Sequence, residues 1–188
     1  MKLSRLISLL FLGCALAAAL VFSFQDTLWS QEMNKKHRLP KAGDIAPNFT
    51  LEDFDGGSFT LSKMRNSKVV LLWFTNLCSG CLEKLPKMEQ FKNLFQKRGV
   101  EIAAVSQLGK DKKIVEDFIR KNKLSFSFLY DPEGWATEQY SGKYIPGTCP
   151  LQNIYIIKKD GMITYVSHYP GVEESEIINQ LNKMIGGN

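Results

Sequence analysis

The chain opens with one long apolar run and then settles into short apolar blocks separated by polar breaks. Leu6 to Phe24 is 19 residues without a charge. At ~1.5 Å per residue, such a run reaches across the hydrocarbon core of a bilayer. Residues 25–42, QDTLWSQEMNKKHRLPKA, are polar and carry no apolar period, which reads as a linker. In PNFTLEDFDGGSFTLSKM, two alternating runs flank the turn signal Asp55-Gly56-Gly57 and predict a β-hairpin. Val69–Phe74 is wholly apolar and predicts a buried strand. Leu82, Leu85, Met88, Phe91 and Phe95 then recur at helical spacing.

Val100–Ser106 predicts a second strand, and Ile114, Val115, Phe118 and Ile119 mark one face of a helix over about 110–122. Phe126–Tyr130 predicts a third strand and 133–141 a short helix. Ile154–Ile157 and Met162–Ser167, joined through Lys159-Asp160-Gly161, predict a second hairpin. Ile177, Ile178, Leu181, Met184 and Ile185 stripe a last helix. The simplest packing is one α/β domain over 43–188, a central sheet flanked by helices with an N-terminal β-hairpin added.

Charge narrows the partners. The formal charge is +5, and setting aside the two positive charges at Lys2 and Arg5 leaves +3 for residues 25–188. That is too mild for nucleic-acid binding, and no basic run is interleaved with aromatics. Lys110, Lys112 and Lys113 read as a solvated helix face. Lys2 and Arg5 before the apolar run predict a cytoplasmic N-terminus and an exported domain. Residues 1–24 therefore read first as an anchor, with residues 6–24 in the cytoplasmic membrane and the domain in the periplasm or outside. A cleaved signal with secretion is the second reading, since Ala15-Leu16-Ala17 and Ala17-Ala18-Ala19 fit the small-residue rule. Cutting there would leave the apolar Leu20–Phe24 on the mature chain. Leu12-Gly13-Cys14 as a lipidation site ranks third.

Export changes how the cysteines read, because thiols outside the cytoplasm tend to be oxidised. Beyond Cys14 there are three: Cys78, Cys81 and Cys149. An odd number is not a disulfide framework, and a two-residue spacing closes too small a loop to stabilise much. A strand feeding a helix puts Cys78 at the helix N-terminus, where unpaired N–H groups and the dipole favour a thiolate. Cys81 sits on the next turn within reach of it. Cys78 can then attack a partner's disulfide and Cys81 can resolve the mixed disulfide. Ser79 and Gly80 are small and keep the site open, and Lys84 adds positive potential. A structural zinc site would want a second ligand pair, and only Cys149, His37 and His168 remain. Haem attachment wants a histidine where Leu82 stands. Neither a metal nor a cofactor is expected.

Strand, Cys78-Ser79-Gly80-Cys81, a helix with Pro86 and a late ββα together resemble the thioredoxin superfamily. APNFTLEDFDGGSFTLS and YDPEGWATEQY resemble its redoxin branch, over about residues 43–186. That branch holds the membrane-anchored thiol-disulfide reductases of the bacterial periplasm, including those serving cytochrome c maturation, and the peroxiredoxins. The resemblance implies a thioredoxin-like fold and a thiol-disulfide oxidoreductase active in cytochrome c maturation or envelope redox homeostasis. It implies protein thiols and disulfides as substrates, a redox partner protein, Cys78 as nucleophile, Cys81 as resolving thiol, and a Cys78–Cys81 disulfide. Departures are visible. Leu77 stands where Trp is common, and Lys84, with Glu83 before it, stands where anchored reductases carry an acid. The buried acid of thioredoxins falls at Leu72.

A cis-proline loop facing the dithiol is also implied. Pro150 is its candidate, with Pro146 second and Gln152 as the alternative occupant of the position. If Pro150 fills that role, Cys149 lies near Cys78, either as an alternative disulfide partner or as a third soft ligand for copper(I). Two other functions compete. Thr75, three before Cys78, fits a peroxiredoxin pattern, but its proline would fall at Leu71 and no arginine follows Arg120; a plain strand-end threonine is the preferred reading. A copper carrier would want a wider cysteine spacing and a histidine before the late strand, whereas His168 follows it.

Overall fold

Val69–Thr75, the strand that leads into the two cysteines, is buried at every position. β-Branched and aromatic residues on both of its faces explain this, because strand side chains alternate and here neither face meets water. The computed structural model describes residues 38–106, 112–145 and 148–186. The expectations for residues 6–24, Cys14, His37, Lys110 and Pro146 lie outside them, and among the described residues no helix is long and apolar enough to cross a membrane.

In chain order the elements are β1 (Thr50–Asp53), β2 (Ser58–Thr60), β3 (Val69–Thr75), α1 (Ser79–Phe95), β4 (Val100–Ser106), α2 (Lys112–Asn122), β5 (Ser127–Tyr130), α3 (Trp135–Ser141), β6 (Ile154–Ile157), β7 (Ile163–Ser167) and α4 (Glu174–Gly186). They build a seven-stranded mixed sheet in the order β2-β1-β5-β4-β3-β6-β7. β3, β4 and β5 run parallel, while β6 pairs antiparallel with β3 and β1 with β5. The compact unit starts at Leu39. Its first residues are tied to the β6–β7 hairpin, with Gly43 N–H donating to the Ile163 carbonyl at 2.8 Å and Ala46 N–H to Gly161 at 2.9 Å.

The alternation along β3 divides the core. Val69, Leu71 and Trp73 face Cys81, Leu85, Met88, Phe91 and Phe95 of α1 and Ile177 and Leu181 of α4. Val70, Leu72 and Phe74 face Ala136 and Tyr140 of α3 and Phe49, Phe59 and Leu61 around the hairpin. Leu72, at the position of the thioredoxins' buried acid, is thus a core residue of the second face. The α1 stripe packs as spaced except at Leu82, which is 38% exposed while Cys81 takes the first core position. In α2, Val115 is buried and Ile114, expected inward, is 55% exposed. Lys112 is not a free surface charge: its Nζ is 2.5 Å from Glu52 Oε1.

Candidate active site

Where β3 ends, the chain must turn into α1 over Asn76, Leu77 and Cys78. Leu77 takes φ 53°, a left-handed conformation that costs a non-glycine residue about 1 kcal/mol or more. Its side chain nonetheless packs on the core, and its N–H donates to Thr75 Oγ1 at 3.2 Å. Cys78 is then the N-cap of α1, with non-helical backbone at φ −59°, ψ 164°. Caps are usually hydroxyl, amide or carboxylate residues. Here a sulfur fills the position, and Cys78 Sγ accepts from the Cys81 N–H at 3.3 Å. A helix N-terminus that needs an acceptor and a thiol that can become an anion suit each other.

Cys81 points into the core one turn on, with its Sγ 2.9 Å from Cys78 Sγ. Both are free thiols in this structure. Their environments push them apart. Burial works against a charged Cys78, but the Cys81 thiol and N–H, the Cys149 thiol and the Gly80 N–H together outweigh it and hold Cys78 below its ordinary value. Burial, and then donation to Cys78, push Cys81 up to about 12, with the Thr75 hydroxyl opposing. One sulfur is disposed to ionise and the other to keep its proton.

Cys149 completes the group, with its Sγ 3.5 Å from Cys78 Sγ and its side chain exposed. The expected cis-proline does not occur at Pro150: among the described residues every peptide bond is trans. Trans is favoured at X–Pro bonds by about 0.5–1 kcal/mol, and this loop is held by other means. Thr148 turns back on Ile145 through its N–H at 3.1 Å and its hydroxyl at 2.8 Å. Gln152 instead serves the far face, donating to the Tyr155 hydroxyl at 2.8 Å and to the Pro40 carbonyl at 3.1 Å.

Asn76 is the residue that sequence reasoning missed. It is buried, and its Oδ1 accepts from the Cys78 N–H at 3.1 Å and lies 3.5 Å from Cys81 Sγ. Its Nδ2 donates to the Thr148 carbonyl at 2.8 Å, so one carboxamide ties the dithiol to the loop carrying Cys149. The available signal was a polar residue between an apolar strand and the cysteines. Gly80 has a second role as well: a Cβ there would stand 3.0 Å from the Pro170 ring, so the glycine lets the segment after β7 close on the first turn.

Lys84 pairs with Glu174 at 2.5 Å and lies 5.5 Å above the Tyr169 ring, which turns it toward α4. Hydrogen bonding to Lys84 holds the Glu174 carboxyl below its usual range. Glu83 is exposed. His168 is half-buried, with Nδ1 enclosed and unpaired. Among the described residues no group of three or more His, Cys, Asp or Glu side chains is arranged to hold a metal ion. Thiolates sharing a zinc at ~2.3 Å would spread to roughly 3.7 Å, wider than this dithiol.

Comparison with known proteins follows the same lines. A model of the AhpC/TSA family matches residues 42–166. The thiol-disulfide oxidoreductase ResA of Geobacillus thermodenitrificans is 31% identical over 121 residues, 64% of this chain and 66% of that protein. The chloroplastic peroxiredoxin Q of Oryza sativa subsp. japonica is 30% identical over 129 residues, 66% of this chain and 57% of that one. The chain thus spans less than two thirds of the length of either relative. Among solved structures, a thiol:disulfide interchange protein DsbE from Chlorobium tepidum superposes with a TM-score of 0.66, at 24% identity over 79% of this chain and all of that one.

Proposed function

The chain belongs to the AhpC/TSA family of thioredoxin-like redoxins, and from that premise we propose that it is a thiol-disulfide oxidoreductase exchanging disulfides with protein cysteines through Cys78 and Cys81. The observation that carries this reading is the N-cap position of Cys78 beside a buried Cys81 at 2.9 Å. The Cys78 thiolate attacks one sulfur of a substrate disulfide, and the substrate's other sulfur leaves as a thiolate. Cys81 then gives up its proton, bonds to Cys78 and releases the second substrate thiol. The substrate gains two electrons and the dithiol becomes a disulfide, which a redox partner protein reduces again.

The uncharged run at residues 6–24 supports an anchor in the cytoplasmic membrane and a domain working in the cell envelope. Cytochrome c maturation and envelope redox homeostasis are the two settings that fit. The peroxidase reading draws on Thr75 and the likeness to peroxiredoxin Q, but no arginine follows Arg120 to polarise a peroxide.

Insulin reduction with purified full-length protein is the test. Cys78→Ser is expected to abolish turnover, and reaction with hydrogen peroxide is expected at the rate of an ordinary thiol. Normal turnover by Cys78→Ser sinks the mechanism, and peroxide consumption faster by orders of magnitude moves the assignment to a peroxidase.

A further inference from the structure

We propose that Cys149 is a second resolving thiol for Cys78, so that a substrate held on Cys78 can be released by either of two neighbours. The inference rests on the reading of Cys78 as the nucleophile and extends it. Cys149 Sγ stands 3.5 Å from Cys78 Sγ, and Cys149 is exposed where Cys81 is buried. A disulfide needs about 2.05 Å, so the loop must close by roughly 1.5 Å. Leu151, two residues on, is 95% exposed, so the shift works against the Thr148 hydrogen bonds rather than against apolar packing at that end of the loop.

The buried partner has a handicap that Cys149 lacks. Cys81 is 1% exposed, and burial pushes its thiol up to about 12. Leu72 and Lys84 occupy the positions at which the resemblance implies an acidic proton acceptor, and Lys84 is engaged with Glu174. Cys149 is also pushed up, by burial and by donation to Cys78, but it is exposed and can pass its proton straight to water.

In the step itself, Cys149 loses its proton to solvent and its sulfur attacks Cys78 Sγ of the mixed disulfide. A Cys78–Cys149 bond forms and the bond from Cys78 to the substrate breaks. The electron pair leaves on the substrate sulfur, which takes up a proton. Cys81 can then attack Cys78 in turn, moving the bridge to Cys78–Cys81 and freeing Cys149, with no net change in oxidation.

The test uses full-length protein carrying Cys14→Ser in every variant, reduced and freed of reductant, and an equimolar amount of the aromatic disulfide dithiobis(nitrobenzoate). In Cys81→Ser, both halves of the reagent are expected as free thiolate, and peptide mapping should show a Cys78–Cys149 bridge. In Cys81→Ser with Cys149→Ser, only one half should be released, with the other retained on Cys78. Cys81→Ala repeats the comparison should the serine unfold the protein. If Cys81→Ser keeps the adduct on Cys78 as the double variant does, Cys149 is not a resolving thiol, while Cys78 stands as the nucleophile. If the adduct never forms on Cys78 in any variant, the reading of the dithiol itself fails.

Discussion

The first turn of α1 and the loop from Thr148 to Leu151 both deliver a sulfur to Cys78, yet Cys81 in the first is 1% exposed and Leu151 in the second is 95% exposed. α1 is fixed by apolar contact: Leu85, Met88, Phe91 and Phe95 lock it against β3, so the separation of Cys78 and Cys81 follows from helical geometry. The loop is fixed by polar contact, through Asn76 to Thr148 and from Thr148 back to Ile145. A site built this way keeps one sulfur pair at the spacing set by a packed helix and holds a third sulfur through hydrogen bonds on an exposed loop. Burial also separates their protonation, since the locked sulfur cannot reach water.

If packing is what locks α1, then Phe91→Ala should carry the largest cost, about 3–5 kcal/mol in chemical denaturation, whereas Leu151→Ala should stay within about 0.5 kcal/mol. Equal effects would end the distinction between the two segments. Asn76→Ala should come next, at about 1–3 kcal/mol, because it strips a buried acceptor from Cys78 N–H and a donor from the Thr148 carbonyl. Its signature beyond stability is faster alkylation of Cys149 as the loop loosens; unchanged alkylation would mean that the carboxamide does not hold the loop.

Cys81 sharpens the contrast through pH. An unfolded thiol titrates near 9.0, but the folded Cys81 keeps its proton until about 12. Its contribution to stability is therefore complete below 9.0 and declines as pH rises toward 12. Cys81→Ala in the reduced protein should flatten the alkaline fall in stability across that window, and an identical slope in both proteins would refute the assignment. The smallest effect is expected from Lys84→Gln, which breaks a half-buried ion pair with Glu174 worth at most about 1 kcal/mol. Thermal denaturation at low and high salt reads it.

Much of this was legible in the chain. The stripe on α1, the apolar run Val69–Phe74 of β3 and both hairpins follow from periodicity, because each is set by local spacing. Cys78 at the start of α1 followed from a strand running into a helix. What escaped was set by contacts distant in sequence. Asn76 meets Thr148 only because β3 and the loop before β6 meet in space, and nothing near Asn76 announces that. Ile114 looked inward because a helical stripe fixes which residues share a face but not which edge of that face meets the sheet. The resemblance makes Pro150 the candidate cis-proline, whereas its peptide bond is trans and Thr148 and Asn76 hold that loop by hydrogen bonds.

The placement of the β1–β2 hairpin also bears on how the chain assembles. Glu52 and Asp53 pair with Tyr130 and Leu129, so the hairpin's docking strand lies beyond β3, α1, β4 and α2. Synthesis therefore produces the hairpin early and its place in the sheet late. An isolated two-stranded hairpin is marginal in water, and closing a loop that long costs entropy before any contact repays it. The parallel β3–α1–β4 unit, already carrying the dithiol, can form while the hairpin waits, so Cys78 and Cys81 come together early, whereas Thr148, Cys149 and Pro170 reach them only after β5 has been made.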